Sequence, residues 1–392
     1  MRRVAPGALT EESLCRSARR RTRLDDFGGE EFRLPLRLLL ADLAEDENLG
    51  VVGRLAFRQV IVHGLVNRLR IAESLRRHPE IATVPVRAPL FVVGMPRTGT
   101  TLLHNLLAQD PTGRGPLLWE LETPWPLPDP RRDRPDPRIR RTQRRIDRLS
   151  RFSPEGATIH EFHAEEPEEC HYLFRNAMVT QTFLALADVP GFCRWKLSHD
   201  MLAEYRYYLL QLRMLLWQRP ATHLVLKFPG HAWHVDALLA IFPDARVVFT
   251  HREPVEVVGS FCSMVARVRL AVSRDVDMHA LGRLLADEIE TGMRRMLAAR
   301  ERVDPSRFFD VRYADLVRDP GATVGEIYRH FGMPRAAEMG EAMERWLAEH
   351  RQHRHGKHVY RLSDYGLDEE YVRERFAFYY EQGFAMAAAS GV

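Results

Sequence analysis

The strongest constraint on this chain lies about a quarter of the way along it. Residues 91–111 read FVVGMPRTGTTLLHNLLAQDP: an apolar run, a turn holding Gly94 and Gly99, then leucines at helical spacing. A strand that turns through glycine straight into a helix gathers backbone N–H groups and the positive helix end at one point, which is an anion site. The nucleoside triphosphate form of such a loop reads G-x-x-x-x-G-K-[ST], with the Lys reaching the outer phosphates and the hydroxyl holding Mg²⁺. Here the glycine spacing is kept and Thr100 stands where the lysine would be. The positive charge must come from elsewhere, and Arg97, inside the loop, is the first candidate.

Short apolar runs at 90–93, 224–226, 246–250 and 308–312 each end in a turn followed by a helical pattern. Strands alternating with helices predict right-handed β-α-β units in a parallel sheet. The expected fold is therefore α/β, a P-loop-like parallel sheet flanked by helices. Before it, apolar residues at helical spacing run to Pro79 and Pro85 and predict a helical N-terminal segment over 1–87. The core spans 88–335 and includes a helical and loop insertion over 112–220, too long for a simple crossover and placed to build an acceptor site. Within it, RYYLLQLRMLLWQ at 206–218 reads as a helix with a core-facing stripe. Residues 336–392 read as helix, basic loop and closing helix that complete the nucleotide site. No internal repeat is present.

In an open α/β sheet ligands bind beyond the carboxyl ends of the strands, so the residues there are informative. Lys227 follows the second run and Arg252 the third, where a nucleotide triphosphatase would place a carboxylate to organise Mg²⁺. Asp315 is the nearest acid, and Asp319, before Pro320, reads as the N-cap of the next helix. The site is expected to neutralise an anion with side chains and no metal.

Composition narrows the classes further. In 392 residues, 57 Lys and Arg against 53 Asp and Glu leave a formal charge of +4, which suits an anionic ligand and does not argue for nucleic acid. Arginine is concentrated over 131–151, where a solvated helix face competes with a surface that steers an acidic substrate or touches a membrane. Four scattered cysteines without C-x-x-C spacing point to a reduced, cytoplasmic protein. The N-terminus lacks the apolar core of a signal peptide, and no apolar run approaches the ~20 residues of a membrane span.

These residues resemble a known family. GMPRTGTTLLHNLL is similar to the 5′-phosphosulfate loop of sulfotransferases that use 3′-phosphoadenosine 5′-phosphosulfate (PAPS), and FPDARVVFTHREPVEVVGSF to their 3′-phosphate segment. The likeness continues through VLKFPGHAWHVDALLAIFP and RYADLVRDPGATVGEIYRHFG to GLDEEYVRERF, within the bacterial branch, with loop motifs similar to tyrosylprotein sulfotransferases. It implies sulfuryl transfer from PAPS to a phenol, alcohol, sugar or lipid hydroxyl. It further implies that Arg97, Thr98, Gly99, Thr100 and Thr101 hold the phosphosulfate, that Arg252 and Ser260 hold the 3′-phosphate, and that Tyr313 lies near the adenine. The basic loop at 354–358 occupies the place of a late nucleotide-binding loop without its usual sequence, which puts Lys357 and His358 in question.

Arg97 and Lys227 suit stabilisation of charge on the departing oxygen. For the base, Glu120 in PLLWELETPWP falls where tyrosylprotein sulfotransferases place a glutamate, and His160 and His163 in HEFHAEEPEECHY fall where cytosolic members use a histidine. Glu122 is a further carboxylate. The same stretch offers His160, His163, Glu166, Glu169 and His171 as metal-ligand types, but His160 and His163 are one residue short of the H-E-x-x-H spacing. Two other readings stay open: a P-loop kinase with a degenerate loop, and a non-catalytic nucleotide or polyanion binder. Oligomeric state and the acceptor are not encoded in any motif.

Overall fold

The computed structural model describes residues 9–126, 135–152, 162–350 and 360–384. His160, Lys357 and His358 lie outside the described residues. Five parallel strands form the sheet: β1 (Leu90–Gly94), β2 (Gly113–Arg114), β3 (His223–Lys227), β4 (Arg246–His251) and β5 (Phe308–Arg312), in the order β2-β3-β1-β4-β5. β2 has no counterpart among the apolar runs, because two residues carry no periodicity.

Side chains alternate across a strand, so a strand covered on both faces must be apolar throughout. β1 shows this directly. Phe91 and Val93 join the core that includes the N-terminal helices, and Leu90 and Val92 join the core on the opposite face with Leu103, Val225, Val248 and Ile327. The N-terminal helices α1 (Glu11–Thr22), α2 (Arg33–Glu45) and α3 (Val51–Arg77) contribute Leu14, Leu36, Phe57 and Leu65 to the first core, so they are packed into it. The helix Leu202–Gln218 buries Tyr205, Tyr208, Leu212 and Leu215 in the same layer.

β1 pairs with β3 on one side, Val92 opposite Lys227, and with β4 on the other, Gly94 opposite Thr250. The chain thus leaves β1 toward one edge and later returns to its other side. That makes the end of β1 a switch point, where a crevice opens between diverging connections. The glycine loop sits there, and α4 (Thr100–Leu107) starts from it. Two further helices of the insertion, α5 (Leu118–Glu122) and α6 (Pro137–Phe152), pack on each other in a separate cluster with Phe162 and Tyr172. Among the described residues no helix is long and apolar enough to cross a membrane.

Candidate active site

The loop between β1 and α4 is shaped by two glycines and one strained arginine. Gly99 has φ +87°, and a Cβ there would come within 2.8 Å of the Tyr313 ring. Gly94 packs so closely on Thr250 that a side chain would collide with its hydroxyl. Arg97 itself takes φ +69°, a conformation L side chains rarely adopt, so the surrounding contacts must hold it. Those contacts are present: Arg252 donates from Nη1 to the Arg97 carbonyl at 3.1 Å, and Arg97 Nε donates to Ser260 Oγ at 3.4 Å. The Arg252 guanidinium also lies over the Tyr313 ring, 4.4 Å from its centroid, and its Nε donates to Glu256 at 2.6 Å.

The structure therefore brings together Arg97, Ser260, Arg252 and Tyr313 from the loop, two helices and the end of β4. Enclosure by the pocket walls and then the Arg252 cation lower the Arg97 pKa. Two guanidiniums held this close favour an anion that neutralises both. Thr98 plays a different part. Its side chain is buried, donating to the Met95 carbonyl at 2.7 Å and meeting Thr250 Oγ1 at 2.5 Å, so it fastens the loop to β4.

Lys227 ends β3 beside the loop and is fully buried. Its ammonium donates to Glu169 at 2.7 Å and to Thr101 Oγ1 at 3.3 Å, with Glu168 at 3.8 Å. Burial alone would raise the Glu169 pKa; Lys227, and His171 behind it, outweigh this and hold it below the usual carboxylate range. His171 follows two residues later, with Nδ1 3.1 Å from Thr180 Oγ1, and burial keeps its imidazole below the ordinary histidine value.

Glu120 is placed elsewhere. Its carboxylate is only 2% exposed, accepts from Arg114, from Arg219 Nη1 at 3.0 Å and from the Leu117 N–H at 2.9 Å, and lies outside the lining of the cavity. Glu122 is likewise engaged. Burial pushes its pKa up, but the Arg175 and Arg145 guanidiniums prevail and hold it far below the carboxylate range. His163 is exposed on its loop, and only its neighbour Phe162 lines the cavity. The other acids and histidines of that stretch are dispersed: Glu166 meets His350 at 3.3 Å, while Glu169 and His171 take the partners given above. Among the described residues no three His, Cys, Asp or Glu side chains gather as a metal-binding group.

A cavity of about 790 Å³ joins these parts. At one end it is lined by Arg97, Gly99, Thr100, Thr101, Arg252 and Tyr313, and along the middle by Glu168, Glu169 and His171. The remaining wall is largely apolar, with Phe162, Tyr172, Phe228, Trp233, Phe261 and Met264. Tyr360 adds a piece that no motif signalled. Its hydroxyl donates to the Glu256 carbonyl at 2.9 Å, and its ring lies against Gly259, which brings the C-terminal segment to the Arg252 side.

An anion loop between cationic strand ends, opening into a cavity with a largely apolar further wall, is the arrangement of an enzyme that handles an anionic group. Comparison with known proteins gives the class its family. The profile described as "Sulfotransferase family" matches residues 89–338, and the chain belongs to the sulfotransferase family. Its fold superposes on the crystal structure of sulfotransferase STF1 from Mycobacterium tuberculosis H37Rv with a TM-score of 0.85 and 34% identity, covering 95% of this chain and 100% of that one. Sulfotransferase STF9 from Mycobacterium avium gives a TM-score of 0.88 at 30% identity, covering 97% and 98%. A curated relative from Mycobacterium bovis, omega-hydroxy-beta-dihydromenaquinone-9 sulfotransferase Stf3, is 25% identical over 283 residues, 68% of this chain and 69% of that protein. The P-loop-like α/β fold and a sulfotransferase activity, both expected from the sequence, are thereby shown.

Proposed function

We propose that the donor is PAPS and that the acceptor is a hydroxyl carried on an apolar body, of lipid or aromatic character. The observation that carries this is the single cavity with two unlike halves: two arginines and the loop threonines at one end, aromatic and aliphatic side chains at the other. The relative Stf3 is named for a dihydromenaquinone acceptor, which agrees in kind with the apolar half. Free, buried cysteines suit a reducing, cytoplasmic setting.

The residues fit the donor. Gly99, Thr100 and Thr101, with the Thr98 backbone, would cradle the phosphosulfate at the start of α4, and Arg97 would neutralise it. Arg252 and Ser260 would hold the 3′-phosphate, and Tyr313, already under a guanidinium, would flank the base. When bound, PAPS supplies a sulfuryl group that passes in line to the acceptor oxygen, with adenosine 3′,5′-bisphosphate leaving. Lys227, held beside Thr101 by Glu169, and Arg97 oppose the negative charge that grows on the departing oxygen.

The acceptor proton needs a base at the junction of the two halves of the cavity. His171 and Glu169 line that junction, whereas Glu120 has its oxygens committed to Arg114 and Arg219. Of the two, His171 is the better placed, because the Glu169 carboxylate is already engaged by the Lys227 ammonium at 2.7 Å. The test is transfer from sulfur-labelled PAPS to a panel of apolar alcohols and phenols. Labelled sulfate ester is expected with wild type and at least a hundredfold less with Lys227→Ala, from the ~10²–10³ that one aimed donor supplies. Turnover of Mg·ATP in place of PAPS, or PAPS binding without transfer to any hydroxyl, would overturn the reading in favour of a kinase or a non-catalytic binder.

A further inference from the structure

The arginine-rich stretch over 131–151 is two-sided where it forms α6 (Pro137–Phe152). On the inner side, Arg138 is buried over the Trp119 ring at 4.6 Å, donates to the carbonyls of Thr123 and Trp125 at 3.1 and 2.6 Å, and pairs with Asp136. Arg145 reaches in to Glu122 at 2.5 Å. Ile139 and Ile146 pack in one cluster with Phe162 and Tyr172, and those two aromatics line the acceptor cavity. The inner face thus explains its own arginines by packing and buried pairing.

The outer face has no such explanation. Arg140, Arg144 and Arg148 follow one another at i, i+4 spacing, with Arg141 beside them, and all four are exposed. That aligns cations in a straight row over about 12 Å of helix. The only acid on α6 is Asp147, whose Oδ1 accepts from Gln143 Nε2 at 2.9 Å. Several surface helical arginines are matched one turn away, as in Arg16–Glu12, Arg76–Glu73, Arg294–Glu290 and Arg373–Glu369, and others, such as Arg206 and Arg283, stand singly; α6 differs in aligning its exposed arginines in a row. Among the described residues, no ion-pair partner answers the row on α6. Three like charges in line, with Arg141 beside them, repel one another by roughly the few tenths of a kcal/mol that each i, i+4 pair of opposite charges contributes, so an external anionic surface relieves them.

We propose that the outer face of α6 docks on an anionic lipid bilayer. The inference rests on the reading of the acceptor as apolar and extends it to a lipid acceptor, which is met at a bilayer, and the same helix that carries the basic row packs its other side against Phe162 and Tyr172 of the cavity wall. A bilayer presents a flat sheet of anionic headgroups, which suits a straight row on one helix. Whole-chain charge is only +4, so the attraction is local to this helix.

The experiment is sedimentation of the full chain with vesicles of mixed phosphatidylglycerol and phosphatidylcholine against pure phosphatidylcholine vesicles, for wild type and for Arg140→Gln/Arg144→Gln/Arg148→Gln. Wild type is expected to bind the mixed vesicles only, and to be released by high salt. At about fivefold per arginine near an anionic surface, the triple variant should bind about a hundredfold more weakly. Thermal melting and adenosine 3′,5′-bisphosphate binding serve as controls for folding and for the donor site, and should be unchanged. Equal binding to both vesicles, an unaltered triple variant, or capture by heparin or an acidic protein in preference to vesicles would each overturn the proposal. Loss of nucleotide binding in the wild type, by contrast, would sink the donor reading without touching the vesicle result.

Discussion

The Lys227 ammonium stands 2.7 Å from the Glu169 carboxylate and 3.3 Å from the Thr101 hydroxyl, with the lysine fully buried and Glu169 a quarter exposed. A buried cation at a strand end is tolerated only when paired. Removing one partner of a buried pair costs ~3–5 kcal/mol, while replacing both with neutral groups of similar size is near neutral. Because Glu169 retains some solvent, Lys227→Met is expected near or below the lower end of that range. Lys227→Met/Glu169→Gln should recover most of the stability and none of the transfer activity. Melting and turnover measured on both variants check this, and recovery of turnover in the double variant would remove Lys227 from the chemistry.

Gly99 tests the loop without touching a charge. Alanine at φ +87° carries ~1–2 kcal/mol of backbone strain, and its Cβ would press on the Tyr313 ring 2.8 Å away. Since Tyr313 supports the Arg252 guanidinium, Gly99→Ala should weaken nucleotide binding about tenfold or more, beyond any loss of stability. Calorimetry at a temperature where the variant stays folded separates the two effects. Unaltered affinity would show that the loop geometry is not read by the donor.

The two candidate bases differ in where their acid limb falls. His171 has its pKa lowered by burial from an ordinary value near ~6.5, and Glu169 is held below ~4.5, so each is in its basic form above its own pKa. With His171 as base, kcat/KM should be flat above about pH 6.5 and fall with acid along a one-proton limb lying below that value. The limb should vanish in His171→Gln along with most of the rate. A rate and an acid limb both retained in His171→Gln would transfer the role to Glu169.

Much of the fold was legible because its signals are local. Strand runs of Val, Leu and Phe, the Gly94 and Gly99 spacing and the cations at the ends of β3 and β4 each depend on a few neighbouring residues. Asp319, read as an N-cap, accepts from the Ala322 N–H at 2.8 Å. The surroundings of the candidate bases were not legible in the same way. Glu120 looked available because its partners, Arg114 and Arg219, are brought to it by folding. Glu169 and His171 looked like metal-ligand types because the EEPEECH stretch says nothing of Lys227, whose ammonium sorts those acids. His160, Lys357 and His358 lie outside the described residues, so the expectations placed on them stand as proposals. The C-terminal Tyr360 was silent because its contacts to Glu256 and Gly259 span about a hundred positions of chain.

Acid should destabilise the protein through buried histidines that do not line the cavity, His104 and His231 among them. His104 and His231 are fully buried, and burial lowers their pKa to about 4 and about 3. Unfolded, each titrates near ~6.5, so between these values the unfolded state binds the extra protons and stability falls as pH falls. Each contributes up to about 1.4 kcal/mol per pH unit across that window and nothing above it. Denaturant unfolding from pH 7 to 4.5 should show this slope, reduced by about one proton in His104→Gln. A slope that begins only below pH 4.5 would assign acid sensitivity to carboxylates instead.

In the proposed donor site Arg97 and Arg252 hold the two phosphate groups of a doubly phosphorylated adenosine nucleotide. Calorimetric titration of adenosine 3′,5′-bisphosphate without Mg²⁺, with ATP for comparison, into wild type and Arg252→Ala measures this. Binding to wild type in preference to ATP, weakened roughly ten- to a hundredfold in the variant as expected for loss of a charged hydrogen bond, supports the account. Absence of binding, or a preference for Mg·ATP unaffected by Arg252→Ala, would contradict it.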